Sequence, residues 1–133
     1  MSIAAKSGDK LLEYSKISES RSVLLVEDDP LLRKTCRSFL EEMGFQVHEA
    51  ESGEDALILL LGQRVFDLLL IDINLGKGIN GIELIESVRQ NHSSQVLIMS
   101  ALPKDDRSEF FIEKPFTMKG LETIIRSMFN PDT

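Results

Sequence analysis

Four short apolar runs in this chain each stop at residues able to do chemistry. Val23-Leu24-Leu25-Val26 is followed by Glu27 and Asp28, Leu68-Leu69-Leu70-Ile71 by Asp72, Val96-Leu97-Ile98-Met99 by Ser100, and Phe110-Phe111-Ile112-Glu113 by Lys114. A stretch that is apolar at consecutive positions buries both of its faces, which is the pattern of a strand inside a parallel sheet covered by helices. Parallel strands point the same way, so their C-terminal ends share one edge of the sheet. The polar residues that end the four runs are therefore expected at the carboxyl edge, where open α/β sheets bind ligands.

Helical segments alternate with these runs. Asp29-Pro30 supplies an N-cap and a proline for the first turn, and Leu31, Leu32, Thr35, Cys36, Phe39, Leu40 and Met43 follow at helical spacing up to Gly44. Residues 45–50 read as another strand. Ser52-Gly53-Glu54-Asp55 resembles a capping box that opens a helix through Leu61, with Gly62 as its stop. A glycine-rich loop covers residues 74–80, and the next helix carries Ile82, Ile85 and Val88 on one face. Thr117 caps a last helix carrying Leu121, Ile124, Ile125 and Met128. Alternation of this kind implies a doubly wound parallel sheet with right-handed crossovers.

Composition narrows the function classes. With 133 residues and 42% hydrophobic content, the chain is large enough for one domain with its own core. The expected organisation is an N-terminal extension over residues 1–22, in which Leu11, Leu12, Tyr14 and Ile17 could line one helix, a domain over 23–130, and a tail over 131–133. A net charge of -7 without a Lys/Arg stripe argues against direct nucleic-acid binding. No apolar run is long enough to span a membrane, and the basic-then-apolar order of a signal peptide is missing, so a cytoplasmic location is expected. The single cysteine, Cys36, shares a helix face with Leu32 and Phe39 and reads as a core thiol. His48 and His92 have no partners at metal-ligand spacing and read as structural or exposed.

The gathered acids define the chemistry. Carboxylates brought together repel one another and take up protons unless a cation neutralises them, and an all-oxygen donor set favours a hard ion such as Mg2+, with Mn2+ as a substitute. One lysine beside an acidic, metal-loading pocket points to phosphoryl chemistry.

At this point four segments taken together resemble the receiver domain of two-component response regulators: Val26-Glu27-Asp28-Asp29-Pro30, Leu70-Ile71-Asp72-Ile73-Asn74, Met99-Ser100-Ala101 and Glu113-Lys114-Pro115-Phe116-Thr117. The resemblance covers residues 23–129. It implies a flavodoxin-like five-stranded sheet in the order 2-1-3-4-5. It makes Asp72 the acceptor of a phosphoryl group from a phosphohistidine on a sensor histidine kinase or histidine phosphotransfer protein. Asp28, Asp72 and the backbone carbonyl of Asn74 become Mg2+ ligands, with Glu27 acting through metal-bound water. Lys114 pairs with phosphoryl oxygens, Ser100 hydrogen-bonds one of them after transfer, and Phe111 takes the aromatic switch position. Asn74 and Leu102 fall where family members admit or orient the hydrolytic water, and the Lys114-Pro115 bond is expected to be cis. The implied activity is self-phosphorylation with slow autodephosphorylation, not turnover of an external substrate.

Two departures stand out. The loop after Asp72, Ile73-Asn74-Leu75-Gly76-Lys77-Gly78-Ile79-Asn80-Gly81, is one residue longer than is common in the family and lacks its proline. Only residues 101–109 join the fourth strand to the fifth, so the helix expected there is missing or reduced to a turn, which would leave that edge to the N-terminal extension or to a second subunit in a homodimer. The reading is a stand-alone receiver that switches contacts with a downstream protein. Its alternative is a pseudo-receiver that signals through binding without phosphorylation. A Mg2+-dependent phosphatase or nuclease fits less well, because the Asp-x-Asp of such phosphatases is replaced by Asp72-Ile73-Asn74 and asparagine cannot act as a general acid.

Overall fold

The computed structural model describes residues 21–62, 65–76, 78–91, 93–102 and 110–130. In chain order the elements are β1 (Ser22–Val26), α1 (Pro30–Glu42), β2 (Gln46–Ala50), α2 (Gly53–Leu61), β3 (Leu68–Asp72), α3 (Gly81–Asn91), β4 (Gln95–Ser100), β5 (Phe110–Glu113) and α4 (Met118–Phe129). All strand pairs are parallel, and the order across the sheet is β2-β1-β3-β4-β5. The expected α/β fold and strand order are therefore those of the structure.

Each central strand divides its side chains between two cores. Val23, Leu25, Leu68, Leu70, Leu97 and Met99 face α1 and α4, where Cys36, Leu40, Leu121 and Ile125 meet them. Leu24, Val26, Leu69, Ile71 and Ile98 face α2 and α3 and meet Ala56, Leu60, Leu84 and Val88. Each leucine or isoleucine fully buried in this way contributes about 1.5–3 kcal/mol. Continuous apolar sequence in β1, β3 and β4 is thus the cost of having helices on both sides.

The helix ends follow their local chemistry. The Asp29 carboxylate accepts the N–H groups of Leu31 and Leu32 at the start of α1, Ser52 Oγ accepts Asp55 N–H at 3.1 Å, and Thr117 Oγ1 accepts Gly120 N–H at 2.9 Å. Gly44, with φ of 103°, lets the chain leave α1 and enter β2.

Helix α3 buries most of the face that carries Ile82, Ile85 and Val88. Gly81, Leu84, Ile85 and Val88 form the buried stripe, while Ile82 is only half-buried. Gly81 lies so close to β3 that a Cβ there would stand 2.6 Å from the Asp72 carbonyl oxygen, and this approach seats the start of the helix on the sheet.

β1 begins at Ser22, whose N–H donates to the Asp67 carboxylate at 2.8 Å. Of the extension expected over residues 1–22, residues 1–20 lie outside the described residues and Ser22 belongs to β1; His92, the tail over 131–133 and residues 103–109, on which the expectation of a reduced helix falls, also lie outside them. None of the described helices is long and apolar enough to cross a membrane. Cys36 is fully buried, and burial, with a smaller contribution from the Glu27 charge, pushes its thiol up to about 11. His48 packs edge-on against Phe66 at 5.4 Å.

Candidate functional site

The carboxyl edge takes its side chains from strand ends. Glu27 and Asp28 follow β1, Asp72 closes β3, Ser100 closes β4 and Lys114 follows β5. Backbone bonds carry the chain over the edge: Glu27 N–H to the Ala50 carbonyl at 3.1 Å, Ile73 N–H to Met99 at 2.9 Å, and Lys114 N–H to Ser100 at 2.7 Å. These bonds extend the parallel ladders by one residue, so the polar side chains start from a rigid frame.

Carboxylate oxygens of Glu27, Asp28 and Asp72 lie within 4.8 Å of one another. The Lys114 ammonium donates to Glu27 Oε1 at 2.9 Å and to Asp72 Oδ2 at 3.2 Å. The second oxygen of each acid accepts a backbone N–H, from Asp29 to Glu27 Oε2 and from Asn74 to Asp72 Oδ1, both at 3.0 Å. Each buried acid is thus held at both oxygens, whereas Asp28 is exposed at the rim.

Burial sets the electrostatics. Glu27 has no exposed surface, and this pushes its carboxyl up to about 7; the Asp29 N–H and the Lys114 hydrogen bond pull it down, and the Asp72 charge pushes it further up. For Lys114 burial disfavours the charged form, but the hydrogen bond to Glu27 and the charges of Asp72 and Glu27 outweigh it, so its ammonium is held above the ordinary lysine value. Three carboxylates against one ammonium leave a negative excess. The donors are all oxygens and together carry more negative charge than Lys114 offsets, so the residues fit a hard divalent cation.

Glu27, Asp28, Asp72 and Lys114 are brought into one cluster. Asn74 stands beside it through its N–H on Asp72. Ser100 is 4% exposed; its carbonyl holds Lys114 N–H, and its Oγ accepts Leu102 N–H at 3.0 Å. Phe111 lies lower in the sheet, in register with Ile98, half-buried against the core shared by α2 and α3. The Lys114-Pro115 peptide is cis.

One participant carried no sequence signal. The Arg33 guanidinium donates to the Glu27 carbonyl at 2.8 Å and to Glu49 at 3.2 Å, tying α1 to the rim and to β2. Arg33 sits on the helix that Asp29 caps, and nothing in its spacing from Glu27 distinguishes it from a solvated surface charge. Beside Lys114 a cleft of about 560 Å³ is lined by Leu31, Leu32, Phe116 and Met118, among others.

The sequence model of the response regulator receiver domain matches residues 23–126. The chain is 36% identical over 120 residues to the transcriptional activator protein PfeR of Pseudomonas aeruginosa, covering 84% of this chain and 39% of that protein. Among solved structures it is similar to a CheY-like receiver domain from Methylobacillus flagellatus, with a TM-score of 0.70 and 30% identity, over 81% of this chain and 98% of that one. It is also similar to the response regulator TrrA of Thermotoga maritima in complex with Mg(2+)-BeF, with a TM-score of 0.72 and 25% identity, over 81% and 98% of the two chains. The chain therefore belongs to the receiver domain family of response regulators, modules of phosphorylation-based signalling. It spans well under two thirds of PfeR, so the activities of such longer regulators do not pass to it directly.

Proposed function

We propose that this chain is a phosphorylation-controlled switch in which Asp72 accepts a phosphoryl group from a phosphohistidine of a histidine kinase or histidine phosphotransfer protein. The observation that carries the reading is the Lys114 ammonium bonded at once to the buried Asp72 and Glu27, with Asp28 alongside. In the step itself an Asp72 carboxylate oxygen attacks phosphorus, the P–N bond breaks, and the imidazole leaves with the bonding pair and picks up a proton. Positioning and charge compensation dominate such transfers. Asp72 is positioned by Asn74 N–H at one oxygen, which leaves Oδ2, now on Lys114, as the oxygen directed toward the pocket.

Asp28, Asp72, the Asn74 carbonyl and, through water, Glu27 would hold Mg2+, and Mn2+ has similar ligand preferences. When bound, the ion supplies the positive charge that offsets the acids and the incoming phosphoryl oxygens. Lys114 then exchanges a carboxylate partner for a phosphoryl oxygen, and Ser100 turns its hydroxyl toward another. The cleft lined by Leu31 and Phe116 gives a histidine-bearing partner an apolar wall next to Lys114. The proposed setting is the cytoplasm, and the output is a changed contact with a downstream protein.

The test is intact mass after treatment with a small phosphodonor such as acetyl phosphate. One phosphoryl mass is expected with Mg2+, lost with EDTA and in Asp72→Ala. Equal labelling of Asp72→Ala would overturn the assignment, and absence of labelling in the unaltered protein would favour a module that signals by binding alone.

A further inference from the structure

The loop from Asp72 to α3 is clasped from outside by one side chain of α2. The Glu54 carboxylate accepts Ile79 N–H at 2.8 Å, across 25 positions of sequence. Two glycines make room for this contact. A Cβ on Gly78, whose φ is 85°, would collide with the Glu54 carboxylate, and one on Gly53 would collide with the Ile79 carbonyl. Backbone of the loop therefore lies directly on the first turn of α2. Glu54 is free for this role because Ser52 and Asp55 make the cap between them.

The clasped segment forms one wall of the acidic pocket. It starts at Asn74, whose N–H is on Asp72, and passes Gly76, where a Cβ would stand 3.8 Å from Asp28 Oδ2. It ends at Asn80, which exchanges hydrogen bonds with Glu83 at the start of α3: Asn80 N–H to Glu83 Oε1 at 3.1 Å and Glu83 N–H to Asn80 Oδ1 at 2.9 Å. Between those two anchors run Leu75 to Ile79, with two residues at positive φ, Gly76 and Gly78, which have more backbone freedom than any other residue type. Leu75 is buried in the core shared by α2 and α3 and Ile79 packs against that core, which leaves the backbone of the glycine-containing part to be fixed by hydrogen bonds. Among the described residues, the Glu54 carboxylate makes the side-chain hydrogen bond to the backbone between Gly76 and Asn80. A carboxylate at the first turn of α2 also interacts favourably with the helix dipole.

We infer that Glu54 is a positioning residue for the Asp72 pocket: by fixing Ile79 and Gly78 it holds the preceding loop, including the Asn74 carbonyl, in the shape that binds the divalent cation. The inference rests on the proposed function for the role of that cation, while the clasp itself can be read without it.

The experiment compares the full chain with Glu54→Ala, Glu54→Gln and Gly78→Ala in three readouts. These are hydrogen exchange of the segment 73–81 without metal, Mg2+ affinity by titration, and labelling rate as a function of Mg2+ concentration. Glu54→Ala is expected to speed exchange of the segment and weaken Mg2+ binding by about tenfold, the loss of one charge-assisted hydrogen bond. Its labelling rate is expected to recover at saturating Mg2+. Glu54→Gln keeps an oxygen at the same place and is expected to restore both slow exchange and affinity, and Gly78→Ala, which evicts the carboxylate, is expected to match Glu54→Ala. Unchanged exchange and Mg2+ affinity in Glu54→Ala would overturn the inference even if Asp72 is labelled normally. Failure of the unaltered protein to be labelled would instead overturn the phosphoacceptor reading, leaving the exchange comparison to decide the clasp.

Discussion

Lys114 and Glu27 are joined by a 2.9 Å hydrogen bond although β5 and β1, the strands that carry them to the edge, are separated in the sheet by β3 and β4. The lysine side chain spans that gap and touches Asp72 of β3 on its way. One cation therefore links the phosphoacceptor candidate to the most buried acid of the site. Any group that draws Lys114 toward itself loosens Glu27.

That linkage gives a pH dependence. The Glu27 carboxyl rises from its ordinary 4.5 to about 7 in the fold, so between those values the folded protein binds more protons than the unfolded chain. Its contribution to stability is complete below 4.5 and is lost as pH rises to about 7. Urea unfolding of metal-free protein should show Glu27→Gln with a flatter pH profile across this window than the unaltered chain; parallel profiles would refute the assignment. Because the cation needs the deprotonated acids, Mg2+ affinity should rise over the same window.

Removing the lysine should separate modification from response. Lys114→Ala keeps Asp72, Asp28 and Asn74, so phosphodonor labelling should persist at a lower rate, while the new dianion finds no ammonium to pull inward. Amide NMR shift changes remote from the pocket on phosphorylation should shrink in this variant. Changes matching those of the unaltered protein would count against Lys114 as the reader of the phosphoryl group.

Leu102 is 70% exposed, and its N–H is fixed on Ser100 Oγ. An apolar side chain there offers a hydrolytic water no hydrogen bond. Leu102→Glu should speed dephosphorylation by about fivefold, the effect of one hydrogen bond of about 1 kcal/mol. Decay of the labelled mass with time measures it, and an unchanged half-life would refute the role.

Gly81 tests the seat of α3. A Cβ 2.6 Å from the Asp72 carbonyl has backbone on its far side and nothing flexible to displace. Gly81→Ala should destabilise the fold by about 1–3 kcal/mol in urea unfolding and shift the amide of Ile73, whose carbonyl accepts Gly81 N–H.

The order of strands and helices was readable in sequence because each element announces itself locally. Apolar runs two faces deep mark β1, β3 and β4, and Asp29-Pro30, Ser52 and Thr117 mark helix starts through bonds that reach only two or three residues. Glu27, Asp28, Asp72 and Lys114 were also readable as a group, since a parallel sheet must bring its strand ends to one edge. The tertiary structure alone decided how they share charge: that Glu27 is the fully buried member with its carboxyl near 7, that Lys114 divides itself between two acids, and that Asp28 stays at the rim. It also decided that α3 buries Leu84 beside Ile85 and Val88, and that Arg33 and Glu54 brace the site from neighbouring helices. Periodicity reports which face of an element is apolar. Burial depth, charge sharing and contacts made across 25 or 87 positions depend on how finished elements pack, and no local pattern encodes that packing.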